Sequence, residues 1–192
     1  MVRDAPQNLD RFVSFYKAAV NAGRTFVCDH YQAAVLYQLR SSKLPKPTRA
    51  GSLRVYLPGR RAPIKAYESH IGGAEIELAA VLAAPESHMM LVRPSIILDD
   101  LKGHIPTGTI LLYGLWSGYR CKPEWQQAEQ AISEAGSDVI ECHASGHAHG
   151  DALFTFVEDL NPAKILPIHT RATEAFKDHF GLLCETEIVV VV

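Results

Sequence analysis

The sequence lacks long apolar runs, and its cysteines follow no recognisable pattern. No apolar stretch in the 192 residues approaches the roughly 20 residues that span a bilayer. The opening segment, MVRDAPQNLD, contains no apolar core of the kind that a signal peptide carries. The four cysteines are widely spaced and form no CxxC pair: Cys28, Cys121, Cys142 and Cys184. These absences argue against a membrane protein or a disulfide-rich domain, and they predict reduced thiols and a cytoplasmic location.

Charge of one sign is not in excess either. Lysine and arginine number 19 against 21 aspartates and glutamates, which gives a formal net charge of -2. The hydrophobic fraction of 47% is enough for a packed core, so the composition excludes a disordered chain. The length fits one ordinary domain or a large piece of a bigger protein. Histidine, with nine residues, is the residue type in surplus.

Hydrophobic periodicity predicts alternating helices and strands. Helices are predicted over the first 22 residues and over 31–39, 95–101, 123–135, 150–160 and 173–180. Strands are predicted at 24–28, 53–57, 89–92, 109–113, 138–142, 164–168 and 187–192. This alternation predicts an α/β fold in layers, with a mostly parallel sheet flanked by helices. The step from strand to helix at Asp29-His30 is a place where α/β proteins put ligand-binding loops.

The segment 40–65 is strongly basic. It contains eight basic residues and no acidic one: Arg40, Lys43, Lys46, Arg49, Arg54, Arg60, Arg61 and Lys65. One interpretation is a groove for a polyanion, because clustered cations release phosphate counterions on binding. The other is a solvated, loop-rich face. Aromatic partners for stacking are sparse, with only Tyr56 and then Tyr67 nearby.

A histidine-rich loop at 143–149 follows the predicted strand 138–142. His143 and His147 bracket a turn at Ser145-Gly146, where glycine allows backbone N–H groups to approach an anion closely. The helix predicted from residue 150 adds the dipole of its N-terminus. Imidazole in such a place serves as phosphate donor, general acid or metal ligand.

A second histidine, His169, ends the predicted strand 164–168. If that strand neighbours 138–142 in a parallel sheet, both histidine groups lie at the same carboxyl edge. Cys142 is interpreted as a small apolar residue that points away from the site. The remaining histidines are interpreted as structural or surface residues: His30, His70, His88, His104, His149 and His179.

Four short stretches together resemble one family signature. They are HASGHA at 143–148, DAL at 151–153, LNP at 160–162 and ILPIHT at 165–170. They are similar to the C-terminal RNA specificity region of β-CASP metallo-β-lactamase-fold hydrolases, which include ribonuclease J and the endonuclease subunit of the mRNA 3′-end-processing machinery. The segment GLWSGY at 114–119 resembles the Trp-x-Gly-Tyr loop of bacterial members, and 24–39 resembles the late part of the β-CASP insert.

The resemblance implies a role for each residue of the histidine groups. His169 matches the last metal-binding histidine, which completes one of two zinc sites. His147 matches the histidine beside the scissile phosphate and becomes the candidate general acid. His143, Ser145 and Gly146 match the loop that holds a substrate phosphate. A dinuclear zinc site generates hydroxide, and a nearby imidazole protonates the departing oxygen.

The resemblance also implies that much of the hydrolase is missing. The dominant metal motif of the family, His-x-His-x-Asp-His, does not occur in the sequence, and catalytic zinc usually needs three protein ligands. Residues 1–88 are therefore expected to be part of a β-CASP insert, and 89–192 the C-terminal part of the metallo-β-lactamase domain. The chain is expected to be a fragment, a split subunit or a truncated reading frame that lacks the N-terminal half and is inactive alone.

Two other functions stay open. One is a noncatalytic module that binds nucleic acid or a protein partner through the basic segment and the phosphate-binding loop. The other is a small-molecule hydrolase of the same superfamily, because a fold does not fix a substrate. The expected partners are RNA or another phosphodiester, the missing N-terminal half and, as a further option, a second copy of the chain.

Overall fold

The computed structural model describes residues 1–59, 71, 73–144, 148–168 and 170–185. They divide into two compact units, Met1–Ala144 and Ser145–Val192, called here the first and the second unit. In the first unit the described strands are β1 (Val2–Arg3), β2 (Thr25–Asp29), β3 (Leu53–Tyr56), β4 (His88–Met90), β5 (Ile110–Tyr113) and β6 (Asp138–Glu141). Its described helices are α1 (Leu9–Asn21), α2 (His30–Gln38), α3 (Leu78–Ala83) and α4 (Pro123–Glu134).

The described strands pair only in parallel. They form two three-stranded sheets with the orders β3-β2-β4 and β1-β5-β6. A parallel bridge between Val2 and Leu91 joins them, and the Val92 N–H donates to the Val2 carbonyl at 2.7 Å. The continuous order is therefore β3-β2-β4-β1-β5-β6. The predicted α/β fold, with a mostly parallel sheet flanked by helices, is confirmed.

The two longest helices of the first unit begin and end at residues suited to those places. α1 follows Asn8, whose side chain accepts a hydrogen bond from the Arg11 N–H at 3.1 Å. α4 has Pro123 in its first turn, where a missing N–H is harmless. Gly136 follows α4 with a φ of 65°, a left-handed conformation that glycine adopts without strain. Pro123 and Gly136 are the signals from which the sequence predicts α4, whereas the Asn8 cap does not enter the prediction of α1.

Two apolar cores lie on opposite faces of the sheet, because successive strand residues point to opposite sides. Phe26 of β2 belongs to the core under α1 and α2, whereas its neighbour Val27 belongs to the core under α4. The Phe12 ring of α1 meets Phe26 with centroids 5.4 Å apart. On the other face, the Trp125 ring of α4 meets Tyr113 at 5.1 Å. Helices thus cover both faces of the sheet.

The second unit is built around an aromatic cluster. Its described helices are α5 (Gly150–Leu160) and α6 (Thr173–Phe180), followed by a 3-10 turn at Gly181–Leu183. Phe154 of α5 lies edge-to-face with Phe176 of α6 at 5.1 Å, and it stacks on His179 at 4.6 Å. The His179 Nε2 lies 2.7 Å from Glu158 Oε1, so an ion pair accompanies the ring contacts when the histidine is protonated.

Three predicted elements differ from the structure. The helix predicted over the first 22 residues begins only at Leu9, because Val2 is fully buried in the sheet. The helix predicted at 95–101 is a π-helical turn at Ile96–Asp100. In the strand predicted at 164–168, Ile165 alone forms a bridge, to Cys184, since Pro167 has no N–H to donate to a ladder.

Some predictions fall outside the described residues or stay untested. The strand predicted at 187–192 lies beyond residue 185, the last one described. The division into a β-CASP part and a hydrolase part at residue 88 stays a prediction. In the described ranges, no helix combines the length and the apolar character that crossing a membrane requires.

Candidate functional site

Three neighbouring strands of the first unit end at one edge, and a polar group follows each of them. Asp4 follows β1, Gly114 follows β5, and His143 lies two residues beyond β6. The chain leaves β1 through α1 toward β2, on one side of the sheet order, and leaves β5 through α4 toward β6, on the other. Where the connections of adjacent parallel strands diverge in this way, a crevice forms that α/β proteins use for ligands. His143 therefore lies at an edge suited to a site.

Arg11 ties the three connections together. It lies in the first turn of α1, and its Nη1 lies 3.1 Å from Asp4 Oδ1. The same nitrogen donates to the Gly114 carbonyl, and Nη2 donates to the Ala144 carbonyl at 2.6 Å. Hydrogen bonds from a charged donor are stronger than neutral ones. One guanidinium thus fixes the start of α1, the loop after β5 and the first residues of the histidine loop.

Asp4 is a buried carboxylate, and one of its two oxygens accepts no hydrogen bond in the described part of the chain. Only 3% of its surface is exposed. Burial raises the pKa of Asp4 above its ordinary value, although the Ala5 N–H and the charge of Arg11 act in the opposite direction. Its Oδ2 has no hydrogen-bond partner in the described part of the chain. A buried oxygen without a donor favours proton uptake or a ligand that donates to it.

His143 is held in one orientation by the backbone. Its Nδ1 lies 3.0 Å from the Gly114 carbonyl oxygen. Because a carbonyl oxygen only accepts, Nδ1 carries the proton in this contact, and Nε2 is left for another partner. In the neutral ring Nε2 accepts a hydrogen bond, and in the imidazolium it donates one. The exposed His143 ring can therefore donate to a phosphate oxygen when it is protonated.

The other predicted site residues lie outside the described residues: Ser145, Gly146, His147 and His169. Their roles stay predictions. Among the residues that the structure describes, no three histidine, cysteine, aspartate or glutamate side chains converge to hold a metal ion. The described residues thus do not fit a zinc site, and no step through zinc is assigned to them.

The step at Asp29-His30 is structural, so the ligand-binding loop predicted there is wrong. β2 runs directly into α2, and Asp29 caps that helix by accepting a hydrogen bond from the Gln32 N–H at 2.8 Å. Asp29 Oδ2 also lies 2.7 Å from Arg93 Nε. His30 is buried in the first turn of α2, with 5% exposed.

The remaining described histidines have backbone or surface roles, as the sequence predicts. The Nδ1 of His88 lies 2.8 Å from the Ala84 carbonyl, and that of His104 lies 3.2 Å from the Leu101 carbonyl. His149 precedes α5 and is exposed, and its side chain makes no capping hydrogen bond. His70 lies outside the described residues.

Cys142 is a partly buried free thiol beside the site. Burial raises the pKa of Cys142 above its ordinary value, and nearby Asp4 and Glu141 act in the same direction, against Arg11. A thiol with a raised pKa is a poor nucleophile and a poor metal ligand at neutral pH. Its chemistry is compatible with the small apolar role predicted from the sequence. The thiol lies close enough to Arg11 and Asp4 to be affected by their charges, however, so the predicted orientation away from the site is not supported.

The basic segment divides into exposed and anchored cations. Four of them are exposed: Arg40, Lys43, Lys46 and Arg49. Arg54 instead donates to the Ala74 carbonyl at 3.0 Å and to the Glu75 carbonyl, so it fixes the backbone next to β3. Tyr56 is 7% exposed and is no stacking partner. Arg60, Arg61 and Lys65 lie outside the described residues.

Sequence reasoning missed Asp4 and Arg11. Their signal is an aspartate directly after a buried strand, followed seven residues later by an arginine in the first turn of a helix. That signal is hidden because β1 has only two residues. Both of its neighbours in the sheet, Leu91 and Leu112, come from far along the chain.

The segment that contains the histidine loop matches a known protein family. Residues 135–188 match the family model of the Zn-dependent metallo-hydrolase RNA specificity domain. The matched segment includes β6, His143, α5 and α6. A search of curated proteins finds no match to the chain. This segment is therefore similar to the RNA specificity domain of zinc-dependent metallo-hydrolases.

Proposed function

We propose that the chain is the C-terminal portion of a zinc-dependent β-CASP hydrolase of the ribonuclease type, which cleaves phosphodiester bonds in RNA. The observation that carries the proposal is the RNA specificity domain match at residues 135–188, which contains the whole histidine loop at 143–149. The geometry supports it. β6 leads this loop to the carboxyl edge of the sheet, and Arg11 and the Gly114 carbonyl hold its first two residues.

The proposed chemistry follows from the histidine loop. His143, with Nδ1 bonded to Gly114, directs Nε2 to a substrate phosphate, and Ser145 and Gly146 complete the phosphate site. His147 acts as the general acid that protonates the leaving oxygen. The roles of Ser145, Gly146 and His147 rest on the sequence resemblance.

We propose that zinc is held only together with a further protein segment. The chain offers one candidate ligand, His169, whereas a catalytic zinc usually has three protein ligands and a water. The motif His-x-His-x-Asp-His does not occur in the 192 residues. A segment that carries this motif would complete the site, so we expect the chain alone to be inactive and to bind no stoichiometric zinc.

Elemental analysis of the purified chain tests the zinc statement directly. Tightly bound zinc in stoichiometric amount would contradict it.

The complementary test combines the chain with the segment that carries the missing motif and measures RNA cleavage and zinc content. His147→Ala should lower turnover and leave zinc nearly unchanged, whereas His169→Ala should reduce zinc. The control is His149→Ala, because His149 is exposed and makes no capping hydrogen bond. If His147→Ala and His169→Ala both left cleavage intact, the roles would be wrong.

A second candidate function is a noncatalytic RNA-binding module. The observation that favours it is the set of four exposed cations in the basic segment: Arg40, Lys43, Lys46 and Arg49. Phosphate contacts release counterions, so such a module should bind RNA in a strongly salt-dependent manner. The coding sequence upstream of Met1 separates the two functions. An in-frame His-x-His-x-Asp-His motif favours the enzyme, and a true start without such a neighbour favours the module.

A further inference from the structure

Two aromatic rings are exposed in the loop after β5. Trp116 is 59% exposed and Tyr119 is 45% exposed, and their rings meet edge-to-face with centroids 5.7 Å apart. The Trp116 ring lies against Gly118, where a Cβ would overlap the six-membered ring. By comparison, Trp125 is 3% exposed in the core. A large ring that is both exposed and fixed by its neighbours is a surface on which a nucleobase stacks.

A cleft of about 670 Å³ opens beside Tyr119, and Trp116 lies outside its lining but meets the Tyr119 ring. Its lining includes three cations: Arg3, Arg93 and Lys122. Tyr119 belongs to the lining too, and the Lys122 Nζ lies 5.1 Å from the Tyr119 ring centroid. The volume lies within the range of small-ligand sites, roughly 300 to 1,000 Å³. A cleft that contains cations next to a stacking ring offers the two kinds of group that bind a nucleotide, a donor for the phosphate and a surface for the base.

The cations of the cleft are not equally free to bind a phosphate. Arg93 Nε lies 2.7 Å from Asp29 Oδ2, so its charge is already compensated. Arg3 donates from Nη1 to the Asp4 carbonyl at 2.9 Å, but its Nε is buried without a hydrogen-bond partner in the described ranges. Arg3 and Lys122 therefore supply positive charge that is more available to an anion than that of Arg93, although the Arg3 Nε itself has almost no accessible surface. Two carboxylates also line the cleft: Asp99 and Glu124.

We propose that this cleft and the adjoining Trp116 ring together bind one unpaired nucleotide of single-stranded RNA, with a phosphate in the cleft beside Arg3 and Lys122 and the base stacked on Trp116 next to it. The inference rests on the proposed function, because it assumes that RNA is the substrate. It adds a binding subsite outside the histidine loop. Gly114 connects the two regions, since its carbonyl holds His143 and the aromatic loop begins two residues later.

Tryptophan fluorescence of the full chain tests stacking at this subsite, because Trp116 is 59% exposed. Trp125 is 3% exposed but lines the cleft, so its contribution is the quenching that remains in Trp116→Ala. A short single-stranded oligoadenylate should quench the exposed Trp116, and its duplex with oligouridylate should quench it much less. Affinities of all variants are measured by the anisotropy of a fluorescently labelled oligoadenylate, which does not depend on Trp116 emission. Trp116→Ala should weaken binding of the single strand about five- to hundredfold, the range found for the loss of one stacked base. Gly118→Ala should weaken it as well, because it displaces the ring. Ile110→Ala, at the opposite end of β5 and 46% exposed, is the control and should bind like the wild type.

Each outcome bears on a different statement. If the wild type binds the single strand in a salt-dependent manner and Trp116→Ala binds equally well, the stacking subsite is wrong and the proposed function stands. If the duplex quenches Trp116 as strongly as the single strand, the preference for an unpaired base is wrong. If the wild type binds no RNA at low salt, the RNA-binding part of the proposed function fails together with the subsite.

Discussion

Replacing Arg11 by alanine should destabilise the first unit by about 3 kcal/mol at neutral pH. The substitution leaves Asp4, with 3% of its surface exposed, without its cation, and it removes the donor to the Gly114 and Ala144 carbonyls. Removing one partner of a buried ion pair typically costs about 3–5 kcal/mol. The unpaired Asp4 can avoid part of this cost by taking up a proton. Protonating a carboxylate with an ordinary pKa of about 3.9 at pH ~7 costs about 4 kcal/mol, so the loss from the unpaired charge does not exceed that amount.

The predicted loss of stability depends on pH, and the direction of that dependence can be tested. Burial already raises the pKa of Asp4 in the folded state, and loss of the Arg11 charge raises it further. A raised folded-state pKa contributes stability that is complete below the unfolded pKa of about 3.9 and is lost as the pH rises through the folded value. The stability difference between the wild type and Arg11→Ala should therefore shrink as the pH is lowered from neutral toward the unfolded pKa.

Urea unfolding followed by circular dichroism measures both effects. Lys17→Ala, an exposed position on the same helix, is the matched control and should change stability by less than about 0.5 kcal/mol. Combining Arg11→Ala with Asp4→Asn should recover part of the loss, because the unpaired charge is gone. A loss below about 1 kcal/mol, or a loss that does not vary with pH, would refute the pairing of Arg11 with a buried carboxylate.

Two further predictions concern the Tyr56–Asp100 pair and the Asn8 cap of α1. The pKa of Tyr56 is raised to about 12 by burial and by the charge and hydrogen bond of Asp100, so Asp100→Asn should lower its titration midpoint in ultraviolet absorbance, and an unchanged midpoint would contradict that pairing. Asn8→Ala removes the cap that binds the Arg11 N–H and should cost about 1 kcal/mol in urea unfolding, whereas Asn8→Ser should restore most of it.

The sequence predicted best those elements whose signals are local. α5 and α6 have the predicted boundaries, and α4 lies between the predicted Pro123 and Gly136. Spacing of apolar residues and terminal glycine or proline act within a few residues, so a single segment carries the information. Strands of four or five residues with buried β-branched or aromatic residues, such as β2 and β5, were predicted for the same reason.

Predictions failed where the deciding contact is distant. Val2 is a strand residue because Leu91 and Leu112 flank it, which no local pattern shows. The run at 164–168 contains three large apolar residues, yet Leu166 is 51% exposed and Ile168 69% exposed, because Ile165 alone finds a bridge partner there. At the site, the histidine loop was visible as a motif. Arg11 was not, because its three partners come from three separate segments.

The place of β1 in the sheet also constrains how the chain folds. This first strand inserts between Leu91 and β5, so its partners lie roughly 90 and 110 residues away, a separation that slows folding. During synthesis the amino-terminal segment leaves the ribosome long before those partners exist. Val2 therefore does not have both of its strand partners until β5 has emerged, whereas Phe12 of α1 finds Phe26 much earlier. The first unit completes its sheet only after most of its helices have been made.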